Sequence, residues 1–114
     1  MSGWLSDGSI SWSGRPVART VVEAEPRRRV ALTGTLTSVA ACHQRVLAGP
    51  LRHADPRPCL QAELDDGTGI ILLRWLGRDR IAGIAIGASL RVEGTVLTDH
   101  GRRVVLNPLS SLLE

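Results

Sequence analysis

Arginine and histidine side chains are concentrated in two stretches of the chain that lack a regular apolar pattern. The chain has 114 residues, with fourteen arginines and no lysine, so chemistry that needs a lysine, such as Schiff-base formation, is excluded. A guanidinium pairs with phosphate through two parallel hydrogen bonds and also stacks on flat rings. The sequence therefore predicts a surface that binds a polyanion, although the same arginines could be ordinary solvated loop residues. The side chains concerned are Arg45, Arg52, Arg57, His43 and His53 in the first stretch, and His100, Arg102 and Arg103 in the second.

Two cysteines, Cys42 and Cys59, bracket the first stretch. They could be free thiols or form a disulfide, which is uncommon in a cytoplasmic protein. With His43 and His53 they could also hold zinc, although this spacing matches no standard zinc pattern. The sequence leaves these alternatives open.

Asp65 and Asp66 are the only adjacent pair of carboxylates, and Gly67 follows them directly. Aspartate before glycine favours a turn, because its side chain bonds the nearby backbone, and acid–base catalysis is the weaker interpretation. No nucleophile, metal-ligand pattern or cofactor loop can be defended elsewhere. We therefore predict no enzymatic activity, no metal and no cofactor.

Short segments in which apolar and polar residues alternate follow one another from residue 27 onward. Alternation with a period of two residues is typical of half-buried strands. We predict an all-β fold of five mostly antiparallel strands that closes into a small barrel, since closure removes exposed edges. Gly34 and Gly94 fall in the middle of predicted strands and indicate bends there. The first long loop is predicted between residues 40 and 58.

Residues 1–26 differ from the rest, because serine, glycine and proline are frequent and no period persists. We predict an N-terminal extension, either a mobile tail or an arm that docks through Trp4 and Trp12, and a domain that spans residues 27–114. No stretch approaches the roughly 20 apolar residues that a membrane-spanning helix requires. The first residues also lack the segments of a signal peptide. The sequence thus predicts a soluble cytoplasmic protein that does not bind membranes.

The most specific pattern in the chain is a predicted hairpin and the strand after it. Its residues are the run 66–75 (DGTGIILLRW), Gly87, Leu90, Val92 and Gly94. This pattern resembles the nucleic-acid-binding OB-fold domains of the tRNA-anticodon and helicase-wedge type. Trp75-Leu76-Gly77, with the late Asn107-Pro108, is more specifically similar to small stand-alone OB-fold proteins of actinobacteria. The resemblance implies a five-stranded Greek-key OB-fold barrel with a flexible N-terminal extension.

Domains of this kind bind nucleic acid across strands two and three, between the loops that follow strands one and four. The resemblance therefore implies binding of single-stranded DNA or RNA, with arginine–phosphate contacts that weaken as salt rises. The candidate nucleic-acid-binding residues are Thr33, Thr35, Arg45, Arg52, His53, Arg57, Gln61, Arg74, Arg91, Arg102 and Arg103.

The third predicted strand offers an alternative use of the same face. If Ile71, Leu73 and Trp75 share the face seen in the related domains, they point into the barrel, and the residues that alternate with them point outward, Arg74 included. A monomer rarely leaves a continuous apolar patch bare, so either the N-terminal extension or another protein covers it. The alternative prediction is therefore a protein-interaction or self-assembly module. The outward apolar residues would be Ile70, Leu72 and Leu76.

Overall fold

The computed structural model describes residues 17–44 and 57–113 of the chain. All regular structure in these residues is β-strand, which confirms the predicted all-β fold. None of their segments forms a helix long and apolar enough to cross a membrane. The strands of the described chain are β1 (Arg29–Gln44), β2 (Arg57–Asp65), β3 (Ile70–Leu76), β4 (Ser89–Asp99), β5 (Arg102–Leu106) and β6 (Leu109–Leu112).

These strands form one sheet that closes on itself. The strand order is β1-β2-β3-β5-β4-β6, and an additional pairing of β1 with β4 closes the sheet into a barrel. The β3–β5 pair is parallel, whereas the other pairs are antiparallel. The predicted closed barrel is confirmed, with one strand more than the five expected.

β1 is long because it belongs to both sides of the barrel. Its first half pairs with β4 and its second half with β2, and Thr35 has partners in both, Ser89 and Asp65. Just before this residue, a Cβ built on Gly34 would lie 2.5 Å from the carbonyl oxygen of Asp65. No side chain fits so close an approach of two backbones, so the predicted bend requires glycine here. Strand pairing then continues to residue 44, and the predicted loop from residue 40 is correspondingly shorter.

The additional strand, β6, follows a sharp break after β5. Asn107 has a positive φ of 47°, and Pro108 ends β5 as the sequence predicts. The Asn107 N–H donates to the carbonyl of Arg74 at 2.7 Å, and its side-chain oxygen accepts the Leu76 N–H at 2.8 Å. Asn107 thus replaces ladder hydrogen bonds where the strand turns, and the chain then pairs with β4 again as β6.

The core consists of the inward-facing residues of the strands, and two other segments close its ends. Leu32, Leu64, Leu73 and Val92 are among its fully buried side chains, and Trp75 belongs to the same cluster, as predicted. The connection between β3 and β4 packs apolar side chains against one end of the barrel. These are Ile81, Ile84 and Ala88.

The other end of the barrel is closed by residues 17–26. Val21 is 0% exposed and belongs to the core cluster together with Ala24. The Val21 N–H donates to Asp66 Oδ2 at 2.8 Å, and the Val22 N–H donates to Thr68 Oγ1 at 3.1 Å. The turn between β2 and β3 therefore holds this segment in place. Trp4 and Trp12 lie outside the described residues, and the division of the chain at residue 26 stays a prediction.

Cys42 and Cys59 face each other across β1 and β2 and form a disulfide, with their Cα atoms 4.9 Å apart. Of the three alternatives that the sequence leaves open, the structure has the disulfide. Within residues 17–44 and 57–113, no three His, Cys, Asp or Glu side chains are grouped so that they could hold a metal ion. The disulfide ties together the two strands from which the β1–β2 loop extends.

Candidate nucleic-acid interface

Three of the predicted binding residues meet on the outer surface of β2, β3 and β5. Alternation along these strands points Leu64, Leu73 and Val105 into the core and their neighbours outward. We call this surface the β2–β3–β5 face and define it by the outward residues Gln61, Glu63, Leu72, Arg74, Arg102 and Val104. Gln61, Arg74 and Arg102 were predicted from the sequence to bind nucleic acid.

Arg74 is held by partners on both sides of its strand. Its Nε and Nη2 donate to Gln61 Oε1 on β2 at 3.0 and 2.8 Å. Its Nη1 donates to Asp99 Oδ2 at the end of β4, at 3.1 Å. The hydrogen bond from Arg74 lowers the pKa of Asp99, and His100 Nδ1, 3.0 Å from Asp99 Oδ1, acts in the same direction. The guanidinium of Arg74 is therefore fixed against the face and mostly buried.

Arg102 makes the second ion pair of the face. Its Nη2 lies 2.8 Å from Glu63 Oε2, and Ser38 Oγ donates to Glu63 Oε1 at the same distance. These two hydrogen bonds lower the pKa of Glu63 below its ordinary value. The side chain of Arg102 is 51% exposed, so this pair is in contact with solvent. Ion pairs of this kind contribute about 0–1 kcal/mol to stability and are readily exchanged.

Leu72 does not form the exposed apolar stripe that the sequence predicts. It points outward by alternation but is only 4% exposed, whereas Ile70 and Leu76 at the two ends of β3 are 45% and 36% exposed. The stripe is therefore interrupted at the middle of the strand. Periodicity predicts which way Leu72 points, but it does not show what covers it.

Three other predicted residues lie on a different side of the barrel. Thr33 pairs with Arg91, and Thr35 pairs with Ser89, on the outer surface shared by β1 and β4. In the closed sheet, β2 and β5 flank this pair of strands, and β3 lies opposite to it. Thr33, Thr35 and Arg91 therefore do not join Gln61, Arg74 and Arg102 in one groove.

Arg103 has a structural role at the end of the barrel. Its Nη1 donates to the carbonyl of Ala24 at 3.0 Å and also to the carbonyl of Val21. Arg102 and Arg103 thus point to opposite sides of β5, and only Arg102 faces outward. Successive side chains of a strand point to opposite faces of the sheet, so two adjacent arginines cannot share one binding face.

Only part of the first arginine-rich stretch lies among the residues that the structure describes. Arg45, Arg52 and His53 lie outside the described residues, and the same holds for the side chain of His43. Arg57 is exposed at the start of β2, six residues from Glu63, which corresponds to about 20 Å along the strand. Gln61 and Arg74 lie between these two positions, so the face extends along β2.

Sequence reasoning missed two carboxylates that contact the arginines of this face, Glu63 on β2 and Asp99 at the end of β4. Both carboxylates lie within hydrogen-bond distance of predicted binding arginines. The alternation of β2 already places Glu63 on the same side as Gln61. Asp99 could not be found in this way, because its contact with Arg74 spans β5 and depends on the parallel β3–β5 pairing.

Comparison with known proteins identifies the fold and no more. No protein-family model and no curated protein sequence matches the chain. The structure is similar to the solution NMR structure of the OB domain of Ta0387 from Thermoplasma acidophilum, with a TM-score of 0.62 and 12% sequence identity. The match covers 85% of this chain and 86% of that one. The narrower resemblance to actinobacterial proteins stays a prediction. The chain therefore has the fold of an OB domain.

Proposed function

We propose that the protein binds single-stranded DNA or RNA across the β2–β3–β5 face, with the β1–β2 loop as one border. The observation that carries this proposal is the pair of arginines, Arg74 and Arg102, that lie on the same outer surface of an OB barrel. OB barrels commonly bind single strands on this part of their surface, through backbone phosphates and the faces of the bases. Arginine suits both contacts.

The charge balance of the face supports a large share of the binding for the segment between β1 and β2. Arg74 and Arg102 are each paired with a carboxylate, so the described face itself has little net positive charge. The whole chain has a formal charge of +3. Arg45, Arg52 and Arg57 in and beside the loop are opposed in sequence by Asp55 alone. We expect these three arginines to make most of the phosphate contacts.

Fluorescence anisotropy with labelled oligodeoxythymidine and oligouridine, at two salt concentrations, tests the proposal. We expect a micromolar or lower dissociation constant at low salt and weaker binding as salt rises, because counterions released from the phosphates favour binding. The two oligonucleotides also distinguish DNA from RNA. If neither binds at low salt, the proposal is wrong.

A triple substitution, Arg45→Ala with Arg52→Ala and Arg57→Ala, locates the contacts. We expect a loss of most of the affinity, and a slope of log affinity against log salt that is shallower by about 2, from three lost single-strand contacts. Arg19→Ala with Arg27→Ala and Arg28→Ala is the matched control. It removes the same charge from exposed residues next to the start of β1, whereas the loop follows the end of that strand. Equal losses in both variants would show a general charge effect rather than a loop site.

Self-assembly through β3 is the weaker alternative. Ile70 and Leu76 are exposed, but Leu72 between them is covered and Arg74 is charged, so a second chain would meet two separate apolar residues. We expect a monomer whose mass does not change with concentration in light scattering. A stable dimer that Ile70→Ser or Leu76→Ser dissociates would favour the alternative.

The compartment also stays a prediction. The sequence predicts the cytoplasm, whereas a disulfide between Cys42 and Cys59 favours an oxidising compartment, because cellular reductants keep cytosolic thiols reduced. Labelling freshly lysed cells with a maleimide decides between them. Two reactive thiols per chain would favour the cytoplasm, and none would favour an oxidising compartment.

A further inference from the structure

Two apolar residues at the centre of the β2–β3–β5 face are buried although they point outward. Leu72 on β3 and Val104 on β5 are direct neighbours across the parallel pair. They are 4% and 1% exposed, and neither belongs to the core cluster inside the barrel. Other groups of the chain therefore cover them from the outer side of the sheet.

The register of the strands shows that the two arginines cross this position. Arg74 pairs with Leu106, and Asp99 pairs with Arg102, so the Arg74–Asp99 ion pair passes over Val104, which lies between the two on β5. Arg102 on β5 reaches Glu63 on β2, and must pass beside Leu72 on the intervening strand. We call these two crossing arginines and their partners Gln61, Glu63 and Asp99 the arginine clasp.

The clasp is held by groups that a phosphodiester can replace. A phosphate oxygen offers Arg74 and Arg102 the same charge and the same paired acceptors as a carboxylate. The Glu63 and Asp99 side chains are 31% and 39% exposed, so they remain hydrated when their arginines leave. For the solvent-exposed Arg102–Glu63 pair, exchanging one ion pair for another changes the free energy little.

We propose that the arginine clasp opens when single-stranded nucleic acid binds, an inference that rests on the proposed function. Phosphodiester groups of the strand take Arg74 and Arg102 from Asp99 and Glu63, and the guanidinium groups move off the centre of the face. Leu72 and Val104 then become the apolar platform on which a base lies. In a chain whose aromatic residues are three tryptophans, with no Phe or Tyr, this platform takes the place of an aromatic ring.

Glu63 and Asp99 compete with phosphate for the arginines, so neutralising them should strengthen binding. We expect Glu63→Gln with Asp99→Asn to bind oligodeoxythymidine roughly tenfold more tightly than the wild type, since two surface ion pairs no longer oppose it. The matched control is Glu25→Gln with Asp79→Asn, which makes the same change in net charge at exposed residues outside the face. Circular dichroism checks that both variants keep the fold.

The platform is tested by NMR with methyl-labelled protein and oligodeoxythymidine. We expect intermolecular NOEs between the bases and the methyl groups of Leu72 and Val104. Binding in which the neutralised variant gains no more than the control, or in which these NOEs are absent, overturns the clasp and leaves the proposed function standing. No binding of the oligonucleotide to any of the three proteins overturns the proposed function, and the clasp mechanism with it.

Discussion

Asp66 joins the turn between β2 and β3 to the segment that closes the barrel. Its Oδ1 accepts the N–H of Thr68 at 2.9 Å and that of Gly69 at 3.2 Å, and its Oδ2 accepts the N–H of Val21. Burial alone would raise the pKa of Asp66, but these hydrogen bonds, with that of the Thr68 hydroxyl, lower it below the ordinary value. The carboxylate expected to form a turn therefore also anchors a distant part of the chain.

Replacing Asp66 by asparagine removes the charge that these donors stabilise. We expect Asp66→Asn to lower the free energy of unfolding at pH 7 by about 1–3 kcal/mol, as for hydrogen bonds to a charged group. Because the pKa is lowered in the folded state, this stabilisation is complete above the ordinary pKa of about 4 and is lost as pH falls through the folded value.

Urea unfolding of the wild type and the variant at pH 7, 5 and 3 measures this dependence. The difference between the two proteins should be largest at pH 7 and should shrink at pH 3. Asp79→Asn, at an exposed position outside the turn, serves as the control and should match the wild type throughout. A difference for Asp66→Asn that is the same at all three pH values would contradict the role of the charge.

The three arginines of this part of the barrel show how strongly position decides the use of one residue type. Arg74 and Arg102 lie on the outer face with carboxylate partners, and Arg103 bonds two carbonyl groups at the barrel end. The resemblance to OB-fold domains predicts the outward direction of Arg74, because it places the neighbouring Leu73 and Trp75 inside the barrel. It does not predict the partner of Arg103, because that contact joins residues 79 positions apart.

At the level of the strands, the sequence predicted those strands whose apolar residues form a clear pattern. The β2 and β4 segments alternate clearly and were found, and β3 was found as an almost continuous apolar run interrupted by Arg74. Gly34 indicated the bend that β1 makes between its two partners. β6 was missed, because its four residues, LSSL, carry no lasting period and follow a proline. The last residues of β1 were missed for a similar reason, since small and polar residues there gain their regular structure from pairing with β2.

The paired ends of β1 and β2 depend on the disulfide. It joins residues 17 positions apart, and closing a loop of this size restricts the unfolded chain by about 3 kcal/mol. We expect reduction by a dithiol, or Cys42→Ser with Cys59→Ser, to lower the free energy of unfolding by about that amount. Urea unfolding with and without reductant measures it.

The double serine variant is its own control, since the reductant should leave its unfolding unchanged. Cys59 is buried, so the number of thiols should be counted after treatment to show that reduction is complete. An unfolding midpoint of the wild-type protein that stays the same after complete reduction would contradict a stabilising role of the disulfide.

For the molecule as a whole, the packing indicates where the stable unit begins. The sequence predicts a domain that starts at residue 27, because the preceding residues show no period. In the structure, Val21 and Ala24 are core residues, and Ala18 forms a parallel bridge with Val30 of β1. A segment without alternation can still close a barrel when only two of its side chains enter the core.

Two shortened chains test whether the stable domain begins before residue 27 or at it. We expect a chain that begins at residue 17 to unfold like the full chain. A chain that begins at residue 27 should lose about 3–5 kcal/mol, from an exposed barrel end and several lost hydrogen bonds. That is a large share of the 5–15 kcal/mol, roughly, that stabilises a small domain. Urea unfolding of the three proteins measures this loss, and equal stability of all three would place the start of the domain at residue 27.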